Sequence, residues 1–353
     1  HVRSGHMPRH RSGIQPPHAT ARGRARRAPQ LGIVTPLLLM TIACAPLRGT
    51  DIDRQTAGAH VPPARAAHPD IVLITVDSVR PEHVGSYGYA RATTPQLDRL
   101  AAAGARFEYA YAQAPHTSFS IGALLTGRHF PLLQRLAPQG RLQTLADHLH
   151  GHGYDTVAIY PPAVFVTDEG PMAPYRADHF GFRHVHCDYI PADQAVDEAM
   201  RFFAAQRQPQ TTPSGTVMAP PSPARPVLLW IHLFEPHEPY DGGPTVHFGP
   251  TAIDRYDHEL AVVDGAIGRL QHYMQQHRPD AIWVVTADHG EAFDEHGESL
   301  HGTNLYEEQI RVPLLLRAPH VTPQTVPQTV QLVDVFPTVL RLAGVAWPYE
   351  TDG

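Results

Sequence analysis

Residues 71–76, Ile-Val-Leu-Ile-Thr-Val, form an almost unbroken β-branched and apolar run that ends in Asp77. A strand of that composition has no face suited to water, so it belongs inside a parallel sheet covered by helices on both sides. In open α/β sheets ligands bind outside the C-terminal ends of the strands, which is where Asp77 stands. Two further runs behave alike. Residues 227–234 lead into Glu235-Pro236-His237-Glu238-Pro239-Tyr240, and residues 281–287 lead into Asp288-His289-Gly290-Glu291. Helical periodicity fills the intervals at 94–104, 117–127, 142–150, 192–206 and 251–277, the first opened by Thr94-Pro95. The alternation predicts an α/β fold, a mostly parallel central sheet sandwiched by helices. Extended segments are also expected at 107–111, 154–160 and 310–316, and Pro313 assigns the last to a sheet edge or to a strand's first residues. A closing helix is expected over 330–343, kinked or restarted at Pro337, and the Pro/Ser/Thr-rich stretch 207–226 reads as a loop.

Charge is divided unevenly along the chain. Residues 1–68 carry 10 Arg against 2 Asp, whereas the rest carry 18 Arg against 32 acids, a net of −14. Nucleic-acid binding rests on neutralising phosphates, so an acidic body predicts no nucleic-acid partner. All the Lys+Arg residues are arginine, which excludes a catalytic lysine. Two cysteines, Cys44 and Cys187, exclude a disulfide framework and a four-cysteine zinc site. Residues 1–45 read as a disordered basic segment followed by a signal or lipoprotein-like leader, with Cys44 as a candidate lipid-anchor site. Residues 46–68 read as a flexible linker and 69–345 as the folded domain. Export to the periplasm or cell envelope is therefore expected, with the membrane surface as a candidate partner. The chain stops at YETDG soon after its last helix, so a C-terminal subdomain is expected to be short or absent.

Carboxylates and imidazoles converging from separate strands suit a divalent metal. Asp77, Asp288 and His289 are the candidate ligands, and Gly290 lets the chain turn beside them. Taken alone, Asp-His-Gly fits a solvated loop as well. His296 and His301 follow in EAFDEHGESLHG, a polar segment that a metal or an anionic substrate would order, or else a surface loop of titrating histidines. Residues 114–128 place the hydroxyls of Thr117, Ser118 and Ser120 at a helix start. The free N–H groups there suit phosphate or sulfate, and a metal-bound hydroxyl becomes a nucleophile. Plain capping by Thr or Ser fits the same residues.

In order, these segments resemble the sulfatase-like branch of the alkaline phosphatase superfamily. The resemblance spans roughly residues 69–345. It rests on IVLITVDSVRPEHVGSYGYARATTPQLDRLAAAGARFEYAYAQAP, HTSFSIGALLTGRHF, WIHLFEPHEPY, VVTADHGEAFDEHGESLHGTNLYEEQIRVPLLLRAP and LVDVFPTVLRLAG. It implies that Asp77, Thr117, Asp288 and His289 hold one divalent metal ion: zinc, manganese or calcium. It implies further that His237 contacts the ester oxygens or leaving group and that His301 touches substrate, with His296 and then His116 as further candidates. Sulfatases carry Cys or Ser within C/S-x-P-x-R ahead of LLTGR, and oxidation turns it into formylglycine. Here that position is Thr117, with Phe119 and Ile121 in place of the Pro and Arg, and threonine cannot give the aldehyde. The resemblance is thus nearer to relatives using an unmodified Thr, such as phosphoethanolamine and glycerol-phosphate transferases and phosphodiesterases. Ser78 stands where the family has a second metal-binding acid, and AIYPPAVF stands in place of the lysine-bearing GKWHLG. The expected function is a metal-dependent hydrolase or phospho-group transferase forming a covalent Thr117 ester. Its substrates are expected to be small-molecule, lipid or glycan phosphate or sulfate esters, phosphorus favoured. Two other readings stay open: a formylglycine-type sulfuric ester hydrolase modified at Ser118 or Ser120, and a surface-anchored pseudoenzyme.

Overall fold

The computed structural model describes residues 68–353 apart from 137–138, 166–169, 171, 209, 212–216, 219–224, 242–247 and 348. The expected leader, the Cys44 anchor site and the linker except His68 lie outside the described residues. From His68 the chain runs β1 (Ile71–Val76), α1 (Pro95–Ala102), β2 (Ala105–Tyr111), α2 (Thr117–Thr126), α3 (Phe130–Leu136), α4 (Leu145–Gly151) and β3 (Asp155–Tyr160). It continues through α5 (Ala173–Ala177), β4 (His184–Cys187), α6 (Ala192–Ala205) and the short pair β5 (Gln210–Thr211) and β6 (Val217–Met218). Then come β7 (Val227–Leu233), α7 (Ala252–His277), β8 (Ile282–Ala287) and a second short pair, β9 (Ala292–Phe293) and β10 (Ser299–Leu300). The one-turn α8 (Glu307–Ile310), β11 (Arg311–Arg317), β12 (Gln324–Gln331) and α9 (Val335–Leu342) follow.

Eight strands make one sheet in the order β12-β2-β11-β8-β1-β7-β3-β4. β1 sits between β7 and β8, parallel to both, and every residue of all three is buried. That is the environment its composition demands. Only β11 runs against its neighbours, pairing antiparallel with β8 and β2. Helices α1, α6 and α7 pack together as one layer, and α2, α4 and α9 as another. The layers bury both tryptophans that the strands carry, Trp230 and Trp283, almost completely.

Three expectations need correction. β11 is an interior strand, although Pro313 pointed to an edge or an opening position. The ladder shifts register between Val312 and Leu314, so the missing Pro313 N–H falls at an irregularity, and its carbonyl accepts the Thr286 hydroxyl at 2.7 Å. The last helix begins at Val335, not at 330, because Gln324–Gln331 is an edge strand. Pro337 then lies in the helix's first turn, where no intrahelical N–H is needed. Part of the 207–226 loop forms the β5–β6 pair.

The helices are tied down by side chains as well as by packing. Thr144 and Asp147 form a capping box on α4, as Thr251 and Asp254 do on α7. Asp264, buried on α7, accepts the N–H groups of Gln96 and Leu97 at 2.9 Å each, and so caps α1 from outside. Burial of this carboxyl outweighs those amides and raises its pKa from 3.8 to about 6. The folded protein therefore holds this proton more tightly than the unfolded chain does. The resulting stability is full below about pH 4 and fades as pH rises through about 6. Asp264→Asn, which stays neutral and keeps an acceptor oxygen, should gain stability relative to the parent between about pH 4 and about pH 8. Thermal midpoints of both proteins across that range check this; a constant difference would refute it.

Candidate active site

Strand register decides which residues meet. Val76 lies opposite Ala287 in the parallel β1–β8 pair, so Asp77 and Asp288 leave neighbouring strands at one level, about 4.8 Å apart in the sheet. On the other side of β1, Thr75 lies opposite His232 of β7. Asp77, Asp288 and His289 each offer one ligand atom, these atoms lie within 4.8 Å of one another, and all three residues are fully buried.

Each group in the cluster has an assigned partner but one. Asp288 Oδ1 accepts the backbone N–H of Ser78 at 3.2 Å and of His289 at 2.9 Å. Asp77 Oδ1 accepts the Ser78 hydroxyl at 2.7 Å, an approach made possible by Ser78's left-handed backbone (φ 59°). His289 Nδ1 donates to the Gly290 carbonyl at 2.9 Å, which turns the Nε2 lone pair toward the carboxylates. Asp288 Oδ2, 3.4 Å from that Nε2, has no hydrogen-bond donor. A buried carboxylate oxygen without a donor, beside a second carboxylate and an imidazole lone pair, is a donor set that fits one divalent cation.

Helix α2 delivers Thr117 to this cluster. Its sequence, TSFSIGALLT, carries no charge, and nine of its ten residues are buried. Ser120 Oγ donates to the Asp288 carbonyl at 2.5 Å and pins the helix to the end of β8. Helical rotation separates the three hydroxyls. Ser120 is committed to that carbonyl, Ser118 Oγ is buried with no partner, and Thr117 Oγ1 comes to 3.2 Å from His289 Nε2. The opening amides of α2 lack intrahelical partners and suit an anion at the same place. Gly127 ends the helix in the left-handed region (φ 64°), where a side chain would also press on Phe336.

The histidines divide. His301 packs its ring 4.2 Å from that of His289, and His237 meets His301 edge-on at 5.1 Å, so both flank the cluster. His116 is half-buried against Phe119, with Nδ1 unpartnered. His296 is turned elsewhere, pairing with Glu308 at 2.8 Å and stacking on Tyr306 at 3.8 Å.

Two residues escaped the sequence reading. His232, fully buried in β7, places Nε2 3.4 Å from Asp77 Oδ2. Its Nδ1 is 2.8 Å from Thr75 Oγ1, which accepts the Trp230 indole N–H at 3.0 Å. Burial would raise the Asp77 pKa, but the His232 hydrogen bond overcomes it and holds the carboxyl ionised well below its usual range. The second is Glu291, also fully buried. Its Oε1 is 3.1 Å from His301 Nδ1, and its Oε2 accepts the Tyr240 hydroxyl at 2.8 Å. Burial disfavours a charged His301, yet the Glu291 carboxylate outweighs it and raises the imidazole's pKa. Gly290, between His289 and Glu291, has no room for a side chain: a Cβ would stand 2.1 Å from the Glu308 carbonyl. The signal for Glu291 was its place at a strand end in Asp-His-Gly-Glu; nothing local marked His232.

The sulfatase family model matches residues 69–345. This chain belongs to the sulfatase family. The ordered motifs implied that family, and the fold is shared with a Vibrio parahaemolyticus protein of the alkaline phosphatase superfamily, matched at TM-score 0.61 and 22% identity over 80% of this chain and 68% of that one. Among curated proteins it is 23% identical over 360 residues to the uncharacterized sulfatase YidJ of Escherichia coli, covering 81% of this chain and 70% of YidJ. It is 26% identical over 345 residues to arylsulfatase A of Bos taurus, covering 82% of this chain and 67% of that protein. The chain thus spans about two thirds of its curated relatives' length. Among solved structures, the C-terminal periplasmic domain of Escherichia coli EptC matches at TM-score 0.59 and 20% identity, over 80% of this chain and 84% of that domain. At that identity the likeness is one of fold.

Removing Glu291 would leave His301 Nδ1 and the Tyr240 hydroxyl without their acceptor. Glu291→Ala should lower kcat for an aryl sulfate or phosphate by about 10- to 100-fold with a smaller change in KM, and Glu291→Gln should recover part of the loss. Steady-state kinetics check it; equal kcat in all three proteins would refute it.

Proposed function

We propose that the protein is a metal-dependent hydrolase of sulfate monoesters with Thr117 Oγ1 as its nucleophile. One observation carries the reading: of the three hydroxyls at the start of α2, that of Thr117 reaches the buried Asp77–Asp288–His289 cluster. The relatives' names, sulfatases, support sulfuric esters over the phosphorus preference expected from the sequence. Phosphorus esters remain the second reading, favoured by Thr117 itself. An unmodified hydroxyl must be freed by attack at the sulfur or phosphorus, with no aldehyde route to release it. Hydrolase and transferase differ only in whether water or another alcohol performs that release.

Asp77, Asp288 and His289, joined by Thr117, would hold the cation. A divalent ion there supplies Lewis acidity, lowering the proton affinity of a hydroxyl and offsetting charge on the ester. The chain's own groups do the rest. Thr117 Oγ1 gives its proton to solvent water and attacks the sulfur; the Oγ1–S bond forms as the bond from sulfur to the alcohol oxygen breaks. The α2 amides face the equatorial oxygens, where charge grows. His301, held by Glu291, or His237 beside it, gives a proton to the departing alcohol. Water then attacks the sulfur and restores the Thr117 hydroxyl, so ester plus water becomes alcohol plus hydrogen sulfate.

An exported location is part of this reading. It is supported by the basic and apolar leader-like stretch before residue 46 and by the periplasmic origin of the EptC domain. Among the described residues no helix is long and apolar enough to cross a membrane.

Thr117→Ala should lower turnover by ~10³-fold or more, and chelation should abolish turnover until zinc, manganese or calcium is restored. The check is a panel of aryl sulfate, aryl phosphate, phosphodiester and phosphonate ester under each ion. Faster sulfate turnover supports the main reading and faster phosphorus turnover the second; no turnover of any ester under any ion would overturn both.

A further inference from the structure

The cluster occupies the ends of β1 and β8. Beside it on the same edge of the sheet, at the ends of β7, β3 and β4, lies a groove of about 250 Å³. Tyr160 and Pro161 at the end of β3, Tyr189 and Ile190 after β4, Phe234 after β7 and Ala195 of α6 make its walls mainly apolar. Cluster and groove share a boundary. His232 lines the groove and reaches Asp77 Oδ2 at 3.4 Å. A file of rings also joins them: His289 to His301 at 4.2 Å, His301 to His237 at 5.1 Å, His237 to Phe234 at 4.5 Å and Phe234 to Tyr189 at 5.6 Å. Tyr189, at the outer end, is 58% exposed. Neighbouring strands lie about 4.8 Å apart, so the groove begins one strand away from the attacking oxygen's metal ligands, the distance at which an ester's alcohol portion must sit.

We infer that this groove is the subsite for the alcohol portion of the ester, and that it takes a single ring with an apolar face and no second anionic group. The inference rests on Thr117 as the nucleophile of the same site. The volume falls just below the range of about 300–1,000 Å³ for drug-sized ligands, which suits one ring and excludes a long chain of rings. Rings stack on aromatic faces, which Tyr189 and Phe234 supply. The charge of the wall sets the second condition. Apart from His232, engaged with Asp77, the groove's ionisable groups are Asp188, Glu235 and two tyrosines, and no arginine lines it. Asp188 is exposed at the rim, and Glu235 is fixed by accepting the Ala192 N–H at the start of α6. The Asp188 carboxylate repels a carboxylate or a further sulfate on the ring, and Glu235, whose pKa burial raises, offers such a group no cation. An aromatic ring and a sugar ring share the required chemistry.

The metal-loaded protein tests this by NMR-detected binding of 4-hydroxyacetophenone, 4-hydroxybenzoate, N-acetylglucosamine and glucuronic acid, alongside kinetics on 4-nitrophenyl sulfate. The neutral member of at least one pair should bind about tenfold or more tighter than its anionic partner, and that pair names the ring. Asp188→Arg, a surface change, should narrow the gap about fivefold, and Tyr189→Ala should weaken the neutral ring and raise the 4-nitrophenyl sulfate KM by a similar factor. Equal binding of neutral and anionic rings, no binding of either neutral ring, or an unchanged affinity in Tyr189→Ala would overturn the groove assignment. Turnover that persists while the rings fail to bind would sink the groove and leave the hydrolase reading intact. Selective ring binding without any turnover would do the reverse.

Discussion

Asp77 and Asp288 project side by side from adjacent strands and are both fully buried, and the repulsion between them governs what surrounds them. Burying even one unpaired carboxylate costs several kcal/mol. The fold answers with backbone amides on Asp288, a serine hydroxyl and His232 on Asp77, and an imidazole between them. This still leaves one carboxylate oxygen with no donor, and a cation is the remaining way to balance the charge. The support reaches into the middle of the sheet, because His232 is braced by Thr75, and Thr75 by the buried Trp230. Core and cluster are therefore one hydrogen-bonded unit, and changes in the packing of β7 are felt at the candidate metal ligands.

The choice of Thr117 among three hydroxyls has a similarly simple origin. Successive residues of a helix point about 100° apart. Once Ser120 is anchored to the end of β8, Thr117 is turned to the cluster and Ser118 into the protein. That geometry weighs against a modified serine as nucleophile and sets the threonine hydroxyl against the cluster.

Much of this was readable beforehand, for identifiable reasons. β1, β7 and β8 are continuous apolar runs, so both their existence and their chemistry-bearing ends were visible, and Asp77, Thr117, Asp288 and His289 do converge. β4 and β12 are edge strands; β12 is polar but for Pro327 and two valines four residues apart, which conceals its strand character. His232 looks like one polar residue lost in a core strand until the cross-strand pairing with β1 is known. His296 and His301 stand five residues apart on one loop. Their different fates follow from left-handed turns at Asp294, His296 and Leu300 that no local pattern announces. Substrate class was the least legible feature, since a threonine in a sulfatase framework draws the chemistry in two directions.

The reversed direction of β11 has a consequence for the history of such a site. Because β8 and β11 are antiparallel neighbours, the chain leaves one and enters the other at the same border of the sheet, with no crossover to carry it away. Residues 288–310 are thereby confined to a canopy over the reactive centre, with Glu291 and His301 hung from it. Insertions or deletions within that canopy would reshape the entrance while leaving every strand pairing in place. Topology alone thus supplies a region where selectivity can drift without risk to folding.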